Sequence, residues 1–351
     1  MHIHMRAALL AGAALLAESL WAQPLTLDQA VGRAIAASPE LRAGEAGVDA
    51  ARADQLQARV RPNPTVSVDM ENAAGTGGYG LFRQSELTVT YAQPLERGGK
   101  REARMAYAER GVVLAEAQWR VVRLDIAQQV QRAYIDVQIA EQLVWIGEDR
   151  VKLEKEMRSE AVRRVRGYKD PLFVETRADA RITEAELALK EAVAKRQSAR
   201  ALLVSFWGGT VENLTVAEGI EKPDPRDPAL AEADAAVFDA AVDQARARVV
   251  VEKSRAVQDV TVSGGTRFLR DTNDVALVGG ISIPIGRFDR NQGNIARAQA
   301  ERQQLEFQSE ANRLDRLRRL ASLRADADAA RVRAEGIMND VYPKAVKTLA
   351  Q

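Results

Sequence analysis

The sequence predicts a mainly α chain with a small β part, in which long antiparallel helical hairpins are interrupted by two β-hairpins. Three observations predict it. From Lys100 to about Val165 there is no proline, and Gly111 and Gly147 are the only glycines in an otherwise helical pattern. Two stretches, about 65–95 and 260–285, switch to an alternation of period two bordered by proline and glycine. Finally, 28% of residues are charged and aromatic content is 5%, which suits solvated helices with narrow apolar seams.

The N-terminus reads as an export signal over residues 1–22. Arg6 supplies the positive start, Ala7 to Ala17 the apolar run, and Leu20-Trp21-Ala22 a cleavage site ending on a small residue. The apolar run is about half of the roughly 20 residues a spanning helix needs. From Thr26 to about Val60, Leu27, Ala30, Ala34 and Leu41 keep helical spacing, broken once at Ser38-Pro39. Arg61-Pro62-Asn63-Pro64 then ends the helix, and a strand alternates from about 65 to 71. A glycine-rich turn from Gly75 to Gly80 leads to a second strand, about 84–95, whose Leu87, Val89 and Tyr91 oppose Glu86, Thr88 and Thr90.

Pro94 and Gly98-Gly99 close that hairpin and open the long helix, whose roughly 65 residues would extend on the order of 100 Å. A helix of that length cannot fold inside a compact domain and has to pack in a bundle or a wall. Gly167-Tyr168-Lys169-Asp170-Pro171 makes a turn, and Leu172 to Trp207 returns as a helix. Pro223, Pro225 and Pro228 mark a linker, after which helix, strand (about 260–268), polar loop, strand (about 275–285) and helix follow again. The chain therefore reads as two repeats, 23–222 and 223–351, the second lacking the turn and return helix of the first. The offset between matching segments is about 190 residues.

Composition narrows the function. Fifty Lys+Arg against 49 Asp+Glu leave a net charge of +1, with no basic field for nucleic acid. No cysteine is present, which excludes disulfides, thiolate metal sites, a cysteine nucleophile and a lipoprotein anchor. The two histidines, His2 and His4, both lie in the segment expected to be removed. There is no phosphate-cradling glycine loop and no nucleophile beside a base, so neither an enzyme nor a bound cofactor is expected. No stretch after the signal is long enough for a membrane helix, so any insertion into lipid must use strands.

Arg61-Pro62-Asn63-Pro64, Gln93-Pro94-Leu95-Glu96-Arg97-Gly98-Gly99-Lys100-Arg101 and Ser282-Ile283-Pro284-Ile285-Gly286-Arg287-Phe288-Asp289-Arg290-Asn291-Gln292-Gly293, within a duplicated helix-hairpin-helix plan, resemble the TolC-like outer membrane efflux proteins. The heavy-metal branch, of cobalt-zinc-cadmium type, is the nearest in these segments. The resemblance implies a homotrimer in which each subunit lends four strands to one twelve-stranded outer-membrane β-barrel, continued by a helical tunnel through the periplasm. It also implies a periplasmic adaptor and an inner-membrane RND-type pump as partners, with outer-membrane lipid around the barrel and heavy-metal cations passing through it. The missing return helix reads as a C-terminal truncation on this comparison.

By the same resemblance, Gly167, Tyr168, Lys169, Asp170 and Pro171 form the periplasmic tip that meets the adaptor. Asp69, Glu71, Glu86, Thr88 and Thr90 alternate against apolar neighbours and are the candidates for lining the barrel. No defined metal site is expected, because a conduit must release what enters it. Tyr79, Phe82, Tyr91 and Phe268 are candidate interface aromatics, and Arg97, Lys100 and Arg101 candidate contacts to lipid headgroups. Two other readings stay open: a periplasmic coiled-coil adaptor or structural protein, and a channel fragment without function.

Overall fold

The computed structural model describes residues 24–211, 214–217 and 229–349. The expected export signal and the linker prolines lie outside the described residues. The chain forms helices α1 (Leu27–Ala37), α2 (Pro39–Ala58), α3 (Lys100–Arg166), α4 (Phe173–Ser205), α5 (Ala229–Arg255), α6 (Gln292–Gly336) and α7 (Tyr342–Leu349). Strands β1 (Thr65–Glu71), β2 (Glu86–Leu95), β3 (Val260–Leu269) and β4 (Asp274–Ser282) form one antiparallel sheet in the order β1-β2-β3-β4. Pro94, expected to close the first hairpin, lies instead inside β2 opposite Thr261. β4 stops at Ser282 rather than near 285 because Pro284 has no N–H to donate to a ladder.

Packing divides the described chain into two units: residues 24–44 with 120–211 and 214–217, and residues 45–119 with 229–349. These units do not follow the boundary of the two repeats expected from the sequence.

In the first unit, Thr26 caps α1 in a capping box with Gln29. Ser38 ends α1, and its hydroxyl accepts from the Leu41 N–H at 3.2 Å, so Pro39 sits at the first position of α2, where its missing N–H costs nothing. Along α3, the buried positions Ile126, Val130, Ala133, Val137, Ala140 and Val144 alternate steps of four and three residues, and Val151 lies one full heptad further, the spacing of a seam that faces one neighbour. Gly147 falls in the same series, and a Cβ there would stand 3.1 Å from Leu189 Cδ1 of α4. Arg200 pairs with Glu141 and Lys155 with Glu186 at 3.3 Å across the α3–α4 hairpin.

The segment before α1 is clasped onto the same unit. Leu25 N donates to Thr215 O at 2.7 Å, and Ala217 N to Leu25 O at 3.1 Å. The buried Tyr134 hydroxyl donates to Leu25 O at 2.7 Å, and Gln138 Nε2 to Ala217 O at 2.8 Å, so the short backbone bridge does not leave its carbonyls bare.

In the second unit α5 and α6 pack against each other. Glu252 of α5 is 1% exposed and anchors the entry to α6. Its carboxylate accepts from Asn291 Nδ2 at 3.0 Å and from Arg255 Nη1 at 3.0 Å, with Arg248 Nε at 3.3 Å. Asn291 itself takes a left-handed φ of 59°, which its short amide side chain tolerates. Burial raises the Glu252 carboxyl, but the Asn291 amide and the Arg255 and Arg248 charges outweigh it and hold the group below the usual carboxylate range.

A carboxyl lowered on folding stabilises above its unfolded pKa, and that contribution is lost as pH falls through the lower folded value. Glu252→Ala is expected to cost about 1–3 kcal/mol at neutral pH by removing the charge-assisted bonds from Asn291, Arg255 and Arg248. The difference in melting temperature from the parent should shrink in acid, which circular dichroism at pH 3 and pH 7 would check. A difference independent of pH would contradict the role given to the charge.

Near the end of α6 the helix widens to a π-turn at Ile337–Val341, and the Tyr342 N–H reaches Ile337 O. Pro343 explains the position: its ring would clash with the carbonyl four residues back in a regular helix, and widening one turn relieves it.

Candidate functional site

The register assigns every strand residue to a face. Thr65↔Ala92, Val68↔Val89 and Glu71↔Glu86 fix β1 on β2, Thr88↔Arg267 and Leu95↔Val260 fix β2 on β3, and Thr266↔Leu277 and Thr261↔Ser282 fix β3 on β4. Residues opposite one another point to the same side. One face therefore carries Val66, Val68, Met70, Leu87, Val89, Tyr91, Val262, Phe268, Val275, Leu277 and Ile281. The other carries Ser67, Asp69, Glu71, Glu86, Thr88, Thr90, Ser263 and Arg267.

On the apolar face, Val66, Val68, Val275 and Leu277 are 68%, 63%, 70% and 87% exposed. An apolar face of this extent is not covered by any element of the described chain, and in water it would be a liability. Strands β1 and β4 are both edges, each with a row of unpaired backbone groups.

The polar face holds the five residues expected to line a barrel. Three of them converge on one that sequence reasoning did not single out, Arg267. Its Nη1 donates to Glu86 Oε2 at 2.8 Å, its Nε to Thr88 Oγ1 at 3.0 Å, and its Nη2 lies 3.4 Å from Glu71 Oε2. Glu71 and Glu86 stand directly opposite across β1 and β2, an arrangement that repels, and the guanidinium between them answers it. Asp69 sits beside this group and accepts from the Ser67 hydroxyl at 3.2 Å. Thr90 faces Ser67 on one side and Gly265 on the other. The available signal for Arg267 was its parity: it alternates with Thr266 and Phe268 and falls in line with Ser263 and Gly265.

At Gly265 the backbone of β2 leaves no room for a side chain on β3. A Cβ there would lie 2.1 Å from Val89 O and 2.9 Å from Thr90 Cα. Tyr91, Gly264 and Gly279 share one row of the apolar face, so the tyrosine ring projects beside two positions without side chains. Tyr91 and Phe268 thus lie on the apolar face, whereas Tyr79 and Phe82 belong to the loop joining β1 to β2.

At the α3–α4 turn, Gly167, Tyr168, Lys169, Asp170 and Pro171 are brought together as one cap. Lys169 N donates to Arg164 O at 2.9 Å and Tyr168 N to Val165 O at 3.0 Å, the paired bonds of a Schellman ending. The left-handed residue in it is Tyr168, with φ 54°, and not Gly167. Asp170 grips Arg164 at 2.7 Å, which raises the arginine further above its ordinary value through that hydrogen bond and the paired charge. Tyr168, Leu172 and Phe173 are 99%, 70% and 64% exposed at this tip. Among the described residues no group of three or more His, Asp or Glu is placed to hold a metal ion, and no helix is long and apolar enough to cross a membrane.

Comparison with known proteins fits this geometry. Residues 30–209 match the family model for outer membrane efflux protein. The cobalt-zinc-cadmium resistance protein CzcC of Cupriavidus metallidurans is 34% identical over 336 residues, 92% of this chain and 78% of that protein. The nickel-cobalt-cadmium resistance protein NccC of Alcaligenes xylosoxydans xylosoxydans is 28% identical over 75% of this chain and 61% of its own length. The fold is that of the outer membrane protein VceC of Vibrio cholerae, with TM-score 0.72 at 18% identity over 90% of this chain and 82% of that one. CusC superposes with TM-score 0.68 at 16% identity, over 92% of this chain and 82% of CusC. With a matching family model, a relative at this identity and a two-faced sheet on long helices, the chain belongs to the outer membrane efflux protein family.

Proposed function

We propose that three copies of the chain close their four-stranded sheets into one outer-membrane barrel and act as the exit duct of a tripartite efflux system for heavy-metal cations. The observation that carries this reading is the two-faced sheet with two open edges. Backbone groups in lipid must all be paired, so a sheet that inserts has to close, and four strands from one chain are too few. The apolar face then meets lipid, and Asp69, Glu71, Glu86, Thr88 and Thr90, with Arg267, face the water-filled interior. The helices extend into the periplasm.

Cobalt, zinc, cadmium and nickel appear in the names of the relatives, which supports metal cations as the cargo. The polar face suits passage of cations: its carboxylates attract them, and the bridging Arg267 spreads the charge over two glutamates so that nothing is held tightly. In a strain lacking its own duct, expression of this chain with a cognate adaptor and pump is expected to restore growth in zinc, cobalt or cadmium. Restored membrane insertion without any gain in metal tolerance would contradict the cargo.

The tip at 167–171 supplies the docking end. A protruding tyrosine held in a left-handed turn beside exposed Leu172 and Phe173 offers a partner a fixed apolar knob. Tyr168→Asp with Phe173→Asp is expected to leave assembly intact and abolish tolerance by more than tenfold in the metal concentration survived. Full tolerance in that double variant would remove the tip from the docking surface.

A further inference from the structure

We propose that the end of the sheet where strands hand over to helices anchors anionic phospholipid headgroups through Arg97, Arg287 and Arg290. This rests on the reading of the apolar face as lipid-facing.

Strands β2 and β4 leave the sheet at one level, since Leu95 pairs with Val260 and Thr261 with Ser282. Past β4 the alternation of Val275, Leu277 and Ile281 continues in Ile283 and Ile285, which are 54% and 90% exposed. The ten residue-to-residue steps from Val275 to Ile285 extend at most about 34 Å at roughly 3.4 Å each. Tilted by about 40°, they cover about 26 Å, close to the apolar band of about 25 Å on an outer-membrane barrel.

The chemistry changes at the next step. The strand pattern ends here in a tight turn, with the Arg287 N–H donating to Ile285 O at 2.8 Å, and the Arg287 guanidinium lies 5.5 Å from the ring centre of Phe288. Phe288 is 86% exposed. An aromatic ring at the edge of an apolar band with a guanidinium stacked on it matches the boundary between acyl chains and headgroups.

The ion pairs sort the basic residues of this region. Lys100 is paired with Asp259 at 2.7 Å, and Arg101 Nε donates to Arg59 O at 2.8 Å, so two of the three expected headgroup contacts are already engaged. Arg97, Arg287 and Arg290 are exposed and make no ion pair among the described residues. The carboxylates nearby are Asp259, which pairs with Lys100 and also accepts from the Arg97 N–H at 3.1 Å, Glu102, and Asp289, which accepts from Asn291 N at 2.8 Å. Arg97 stands two residues past the end of β2 and Arg287 five past the end of β4, so both lie just beyond the strand ends. At the opposite, loop end of the sheet the balance is reversed, with Asp69, Glu71, Glu86, Asp271 and Asp274 against Arg83, Arg267 and Arg270. The unpaired positive charge thus lies at the helix end, which this reading places at the periplasmic leaflet.

An arginine near an anionic bilayer surface favours binding by about fivefold. The full chain, purified from outer membranes in mild detergent, is therefore expected to retain phosphatidylglycerol several-fold enriched over phosphatidylethanolamine relative to the bulk membrane. Lipid mass spectrometry reads the ratio. In Arg97→Gln/Arg287→Gln/Arg290→Gln the enrichment should fall to the bulk value, whereas Arg318→Gln/Arg324→Gln/Arg333→Gln on α6, which removes equal charge, should keep it. Bulk lipid in the parent, or enrichment equal in parent and first variant, overturns the anchor while the barrel stands. Absence of the parent from the membrane overturns both.

Discussion

Leu277→Arg is expected to remove the chain from the outer membrane. Leu277 lies in the row Val68, Val89, Thr266, Leu277, midway along the sheet, and is 87% exposed. Within one chain it packs against little, so a water-soluble protein would register the change at about 0.5 kcal/mol or less. Facing lipid near the midplane, an arginine costs about 2–4 kcal/mol, and a trimer would carry it three times. Ser67→Arg on the opposite face of β1 is expected to insert normally. Quantifying both variants in outer-membrane and periplasmic fractions separates the accounts, and equal recovery of the two would contradict a lipid-facing side.

Gly265→Ala should be the most damaging small substitution in the sheet. Its Cβ would meet Val89 O at 2.1 Å and Thr90 Cα at 2.9 Å, both backbone atoms that no rotamer change can clear. β2 and β3 would have to part at the pairing that joins the two hairpins, with an expected loss of about 3 kcal/mol or more and failure to assemble. The adjacent Gly264 has nothing within 4 Å of the same position, so Gly264→Ala is expected to assemble. Heat-resistant oligomer on unheated gels would report the contrast. Gly265→Ala assembling as well as Gly264→Ala would show that the close approach is not a constraint.

The elements themselves were largely readable from the sequence because each announces itself locally. Alternation bounded by Pro62, Pro64, Gly98-Gly99 and Pro284 gives the strands, and a long run without proline gives α3. The faces of the sheet follow from parity alone, which is why Asp69, Glu71, Glu86, Thr88 and Thr90 fall on one side. What was not readable depends on distance through space. Pairing of β2 with β3 joins residues far apart in sequence, and only that pairing brings Arg267 between Glu71 and Glu86 or presses Gly265 onto Val89. At the tip the turn itself was readable, but that its left-handed residue is Tyr168 follows only from the bonding pattern. The headgroup candidates shifted for a similar reason: Lys100 is engaged by Asp259, a residue of the other hairpin.

The central claim is that a ring of three chains closes β4 of one copy onto β1 of the next. The chain has no cysteine, so a pair introduced on the two edges can only link to its own kind. Leu277→Cys combined in turn with Val66→Cys, Val68→Cys or Met70→Cys covers the neighbouring registers. After oxidation of outer membranes, non-reducing denaturing gels should show a ladder of one, two and three chains that stops at three for at least one pair. A ladder that runs on beyond three, or monomer alone for every pair, would contradict the closed trimer.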